Sequence, residues 1–99
     1  MSISTVYGSC LDIDFEFFDS DGNPEDISGD EFGILSSSSS AFRDAVFSKP
    51  DPSNGRLHMF LSAEHARQLG IGNVNWFRLR RTMPGGCDDN TTPIWVHVQ

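Results

Sequence analysis

From Leu11 to Phe17, apolar and acidic residues alternate without a break. Successive side chains of an extended segment point to opposite faces. Leu11, Ile13, Phe15 and Phe17 therefore share one face, and Asp12, Asp14 and Glu16 the other. A helix would scatter both sets around its surface, so the run predicts a strand with a core face and a face for water or a cationic partner. It feeds Asp19-Ser20-Asp21-Gly22-Asn23-Pro24, a dense cluster of turn residues.

The same period recurs along the chain. Ile27, alone among polar neighbours, is placed to pin a loop to the core edge. Glu31–Leu35 predicts a short strand with Phe32 and Ile34 on one face, and Gly33 weakens it or marks a bulge. The serine run Ser36–Ser40 reads as a mobile hairpin tip or loop. Phe42–Phe47 fits a helical turn or a strand. The strand is preferred, because Lys49–Gly55 then closes a hairpin.

Arg56–Leu61 alternates with Leu57, Met59 and Leu61 inward. Ser62 is placed to cap a short helix from Ala63 to Leu69, with Gly70 at its end. His65 stands where a capping box would have Glu or Gln. Val74–Thr82 predicts a strand with Phe77 and Leu79 inward, Asn75 in phase with them, and Trp76, Arg78 and Arg80 outward. Met83–Asn90 reads as a loop, and Ile94–Val98 as a last alternating strand. Five or six strands at this spacing, with one helical turn, predict an all-β sandwich.

A chain of 99 residues makes one domain, spanning residues 1–99. Its eight Phe and two Trp offset a low apolar fraction of 37%. Fourteen acids against seven bases give a net charge of −7. That balance argues against nucleic-acid and anionic-membrane partners, both of which favour basic surfaces. No run of about 18 apolar residues is long enough for a membrane span. The N-terminus lacks the basic and apolar regions of a signal peptide, so the expectation is synthesis in the cytoplasm. Cys10 and Cys87 lie far apart. They read as free thiols, or as a disulfide joining the first long strand to the last loop.

The order of these signals resembles the small immunoglobulin-like sandwich domains of tailed-phage virion proteins, such as the N-terminal domain of baseplate upper-protein families. The residues that carry the resemblance begin with the alternating Asp12–Phe18, the D-x-D-G-N-P turn at Asp19–Pro24 and the Ile27-Ser28-Gly29 corner. The Asn54-Gly55 turn and the alternating Leu57–Leu61 follow. The capped Ser62-Ala63-Glu64 with Leu69, Trp76–Leu79 and Ile94–Val98 complete the set. The match runs from about residue 8 onward. The serine run departs from the family's smoother hairpin, and no second domain follows. The resemblance implies an immunoglobulin-like antiparallel β-sandwich with one short helix. It also implies a stand-alone virion module assembled in the host cytoplasm, in the baseplate, tail, head–tail junction or capsid surface.

Catalytic and metal chemistry find little support in the sequence. The acidic turn at Asp19–Asn23 could supply oxygen ligands to calcium. EF-hand spacing fails, however, and ordinary turn chemistry accounts for the cluster. His58, His65 and His97 fall on different elements with no zinc-type spacing. Gly8-Ser9-Cys10 lacks the G-x-S-x-G elbow of a hydrolase, and Gly70-Ile71-Gly72 follows a helix rather than a strand, so no nucleotide fingerprint is present. The expectation is a non-enzyme without cofactor or metal.

The stronger candidate is an interface. Trp76, Arg78 and Arg80 point outward together, and alternation adds Trp95 and His97. Aromatic and arginine residues dominate binding hot spots. With Asp12, Asp14 and Glu16 on an opposite face, the expected role is a multi-copy structural subunit, docking on other virion proteins or on itself by charge complementarity. The alternative is a carbohydrate-binding sandwich with Trp76 or Trp95 as sugar platform, assisted by calcium at the acidic turn.

Overall fold

The computed structural model describes residues 2–99. The chain forms β1 (Ser2–Thr5), β2 (Leu11–Glu16), β3 (Glu31–Ser37), β4 (Val46–Asp51) and β5 (Arg56–Leu61). The helical turn α1 (Ala63–Ala66), β6 (Gly72–Met83), β7 (Cys87–Asp88) and β8 (Ile94–Val98) follow. The strands make two sheets. A small sheet has the order β2-β5-β4, and a large one the order β1-β8-β6-β3 with β7 also on β6. This is an all-β sandwich with one short helix.

One pairing departs from the antiparallel expectation. β1 runs parallel to β8, from Ser2 opposite Trp95 to Thr5 opposite Val98. Gln99 N–H donates to Thr5 O at 2.9 Å and Tyr7 N–H to Gln99 O at 3.0 Å. These bonds hold β1 in the large sheet until Gly8, at φ +83°, turns the chain toward β2. The edge of β2 that a first strand could cover is thereby left open.

The alternating patterns bury the faces they predict. Leu11, Ile13 and Phe15 of β2 meet Leu57, Met59 and Leu61 of β5 on the inner side of the small sheet, and Phe77, Leu79, Val96 and Val98 face them from the large sheet. Phe42 and Phe77 pack at the centre as a tilted pair with ring centroids 5.1 Å apart, both fully buried. Ile27 is fully buried as well, and its N–H donates to Pro52 O at 2.9 Å, so the loop is pinned as its lone apolar residue predicts.

Several boundaries differ from the sequence expectation. Phe42 is not in a strand: Ser40–Asp44 forms a single 3-10 turn, capped by Ser39 Oγ accepting from Ala41 N–H at 3.2 Å. The helical alternative wins because one tight turn drops both Ala41 and Phe42 into the core, and the strand begins only at Val46. The serine run is ordered. Ser36 and Ser37 belong to β3, and Ser38 continues the pairing: its N–H donates to Trp76 O at 3.0 Å and its Oγ accepts from Trp76 N–H at 2.9 Å. The bulge in β3 lies between Ile34 and Ser36, not at Gly33. The helix is shorter than predicted, and Ser62 Oγ bonds His65 Nδ1 at 2.9 Å instead of a backbone N–H.

Asn75 does point inward, and its burial is matched by partners. Its Nδ2 donates to Gly70 O at 2.5 Å and its Oδ1 accepts from Gly70 N–H at 3.3 Å. Asn75→Leu strips Gly70 of both bonds. It is expected to lower stability by about 1–3 kcal/mol in urea unfolding. An unchanged midpoint would show that water replaces the side chain.

Candidate functional site

β6 is the longest strand, and its pleat sets the outer face of the large sheet. Phe77, Leu79 and Arg81 are buried, so Trp76, Arg78 and Arg80 must project to the other side. Trp95 lies directly opposite Trp76 on β8, and His97 follows in the same phase beside Ser4 of β1. All five residues predicted for the aromatic–arginine face therefore share one surface.

They are not equally free. Trp95 is 46% exposed, whereas Trp76 is half-buried, with its backbone held by Ser38. Arg78 is half-buried too, and its Nε donates to Thr91 O at 3.0 Å. Thr91 also brackets Leu79: its N–H donates to Leu79 O at 3.0 Å and its Oγ1 accepts from Leu79 N–H at 2.9 Å. Arg78 is thus fixed before anything binds, which reduces the side-chain entropy lost on docking. Arg80 is exposed. His97 is half-buried, and among the described residues its buried Nδ1 finds no hydrogen-bond partner.

The second predicted face also forms. Asp12, Asp14 and Glu16 project from β2, opposite Phe60, His58 and Arg56 of β5. His58 sits between two carboxylates, with Nε2 2.6 Å from Asp12 Oδ1 and Nδ1 2.8 Å from Asp14 Oδ1. Both ring nitrogens can donate only in the imidazolium form. The bond to Asp14 raises the pKa of His58 above its ordinary 6.5; desolvation opposes the shift, and the charges of Asp12 and Asp14 add to it. Arg56 approaches Glu16 at 3.9 Å with both ends exposed, a pair of little energetic weight.

This triad has a pH signature. A histidine whose pKa is higher in the folded than in the unfolded state adds stability in full below about pH 6.5, and that stability fades as pH rises through the folded value. The melting temperature is expected to fall between about pH 6 and pH 8. The fall should be shallower in His58→Gln. Equal slopes in the two proteins would remove His58 as its source.

Sequence reasoning missed the most heavily bonded polar cluster. Arg81 is in phase with Phe77 and Leu79 and is only 4% exposed. Its parity along β6 places it on the inner side, opposite to its neighbours Arg78 and Arg80 in sequence. Its Nε donates to Asp30 Oδ2 at 2.6 Å, and its two terminal nitrogens reach the carboxylate of Glu25 at 3.1 and 3.2 Å. The Phe17 ring lies 5.3 Å from the guanidinium. Burial disfavours the charge, but the bonds to Glu25 and Asp30 outweigh it and raise the pKa of Arg81. Lys49 Nζ adds bonds to the backbone oxygens of Ser28 and Asp30. The cluster ties the Glu25–Asp30 corner to β6. Its role is to hold one end of the sandwich.

The acidic turn uses its carboxylate internally. Asp19 Oδ1 accepts from Asp21 N–H at 2.9 Å and from Asn23 N–H at 3.0 Å, and Asp19 N–H donates to Asn23 O at 2.8 Å. Among the described residues, no group of three His, Cys, Asp or Glu is arranged to hold a metal ion. His65 pairs with Asp44 at 3.4 Å, apart from His58 and His97. Cys10 and Cys87 are both exposed and free. No protein-family model and no curated protein matches this sequence.

Proposed function

We propose that the chain is a small structural docking subunit, a non-enzyme whose working surface is the outer face of the large sheet. The observation that carries this reading is the direct pairing of Trp76 with Trp95, in line with a pre-fixed Arg78. An interface centred on such residues gains most of its affinity from a few aromatic and arginine anchors. Placing the subunit in a virion, among other particle proteins and in many copies, follows from the resemblance to tailed-phage sandwich domains. Supporting it are the sandwich itself and the arrangement of motifs that carries the resemblance.

Mass spectrometry of density-purified phage particles is expected to find the chain in multiple copies per particle; its absence rejects the virion assignment. Trp76→Ala should leave the purified domain folded, with an unchanged circular dichroism spectrum. It should weaken docking by at least about 30-fold, as a hot-spot residue does. Unchanged incorporation would reject Trp76 as an anchor. The sugar-binding alternative rests on the same tryptophan pair, and a glycan array positive for the free domain, with no particle association, would favour it instead.

A further inference from the structure

The two outer faces of the sandwich match each other row by row. On the large sheet, the row containing Trp76 and Trp95 is followed along β6 by Arg78 and then by Arg80. On the small sheet, the row Asp12–Phe60–Val46 is followed along β2 by Asp14 and then by Glu16. Phe60 is 37% and Val46 64% exposed, so this first row is partly apolar. Both series advance at about 6.6 Å per row, the spacing of alternate residues in a strand.

The two series also run the same way. Phe17, just after β2, has its ring 5.3 Å from the guanidinium of Arg81, and the two residues sit at the same end of the sandwich. Counting back from that end gives the order Arg80, Arg78, Trp76 along β6 and Glu16, Asp14, Asp12 along β2, with Phe60 beside Asp12. A copy stacked on the small sheet can therefore set the arginine row of β6 along the carboxylate row of β2, with Trp76 at the Asp12 end of that row beside Phe60. A hollow of about 360 Å³ lies where the arginines arrive; Asp14, Glu16, Asp51, Pro50 and Arg56 are among its lining residues. Three of these are acids and one is a base, which suits an incoming guanidinium.

We propose that this chain binds a second copy of itself face to back, the small-sheet face of one molecule seating the Trp76–Arg78–Arg80 face of the next. The inference rests on the docking role of the large-sheet face and adds its partner. The contact is heterologous, since different surfaces meet, so it propagates into open stacks or closes into a ring if successive copies rotate. Layers about 10 Å apart would interleave their side chains as sheets do inside a sandwich. The net charge of −7 opposes stacking at low ionic strength, so the interaction belongs at about 0.15 M salt, where that repulsion is screened.

The test is sedimentation velocity of the full chain at about 0.15 M salt. The parent protein is expected to sediment faster as its concentration rises. Two variants each lose one face: Arg78→Glu with Arg80→Glu, and Asp14→Lys with Glu16→Lys. Each alone should stay monomeric. Mixed together, they should associate again, because the intact face of each meets its complement and the swapped glutamate and lysine faces also attract. Should the lysine variant fail to fold by circular dichroism, Asp14→Ser with Glu16→Gln takes its place. A parent that stays monomeric, variants that associate alone, or a mixture that does not pair each overturns the proposal. Loss of particle incorporation in Trp76→Ala beside a monomeric parent would sink the stacking and keep the docking role. Unchanged incorporation would sink the docking role itself.

Discussion

Arg81→Ala is expected to destabilise the domain by about 3–5 kcal/mol, the usual cost of removing one partner of a buried ion pair. The reason lies in what remains. Asp30 is only 5% exposed, and without the guanidinium its carboxylate keeps no side-chain partner. Glu25 loses a two-point contact, and the Phe17 ring loses the cation beside it. Against a total stability on the order of 5–15 kcal/mol for such a domain, this loss brings unfolding near ambient temperature. Urea denaturation of parent and variant measures it directly. Arg81→Met combined with Asp30→Leu removes both charges and keeps the volume, so it should recover most of the loss. A single variant that loses less than about 1 kcal/mol would mean that water already reaches the site.

Gly55→Ala is expected to cost a similar amount, about 3–5 kcal/mol, for an unrelated reason. Gly55 ends the β4–β5 turn at φ +73°, a left-handed conformation that an L side chain adopts only under strain. A Cβ there would also sit 2.5 Å from Phe17 O and 2.8 Å from Glu25 O. Phe17 O is not free to move, because it accepts from Glu25 N–H while Phe17 N–H donates to Gly55 O. Gly22 supplies the comparison. Its φ is +82° but nothing lies near its Cβ position. Gly22→Ala should therefore show the conformational cost alone, about 1–2 kcal/mol. Equal losses at the two positions, read from urea midpoints, would remove the backbone contact as a cause.

The parts of the fold legible in the sequence are those governed by two-residue periodicity. Leu11–Glu16, Arg56–Leu61 and Ile94–Val98 alternate cleanly because each has one dry and one wet face, and all three are strands with the predicted faces buried. Phe42 was hidden because a single 3-10 turn is too short to set up a period of its own. The ordering of Ser36–Ser38 was hidden because serine hydroxyls order when a strand such as β6 offers backbone groups at the right distance, which composition does not record. The parallel pairing of β1 depends on a partner more than ninety residues away, Ser2 lying opposite Trp95.

The outer aromatic–arginine and acidic faces followed from alternation alone, down to each named residue. What alternation did not supply was His58 between Asp12 and Asp14, because pairing β2 with β5 fixes which side chains stand opposite. Arg81 carried its own signal in the phase it shares with Phe77 and Leu79. A charge at a core phase calls for buried carboxylate partners, and Asp30 and Glu25 supply them from a loop some fifty residues earlier.

Intrinsic tryptophan fluorescence tests the docking face most directly. The chain has two tryptophans, Trp76 and Trp95, and both lie on that face, so the signal has no other source. In the free domain, Trp95 should be open to acrylamide. In the assembled state, emission should move to shorter wavelength and quenching should fall as the pair is covered. A complex that plainly forms while emission and quenching stay those of the free chain would mean that docking happens elsewhere on the sandwich.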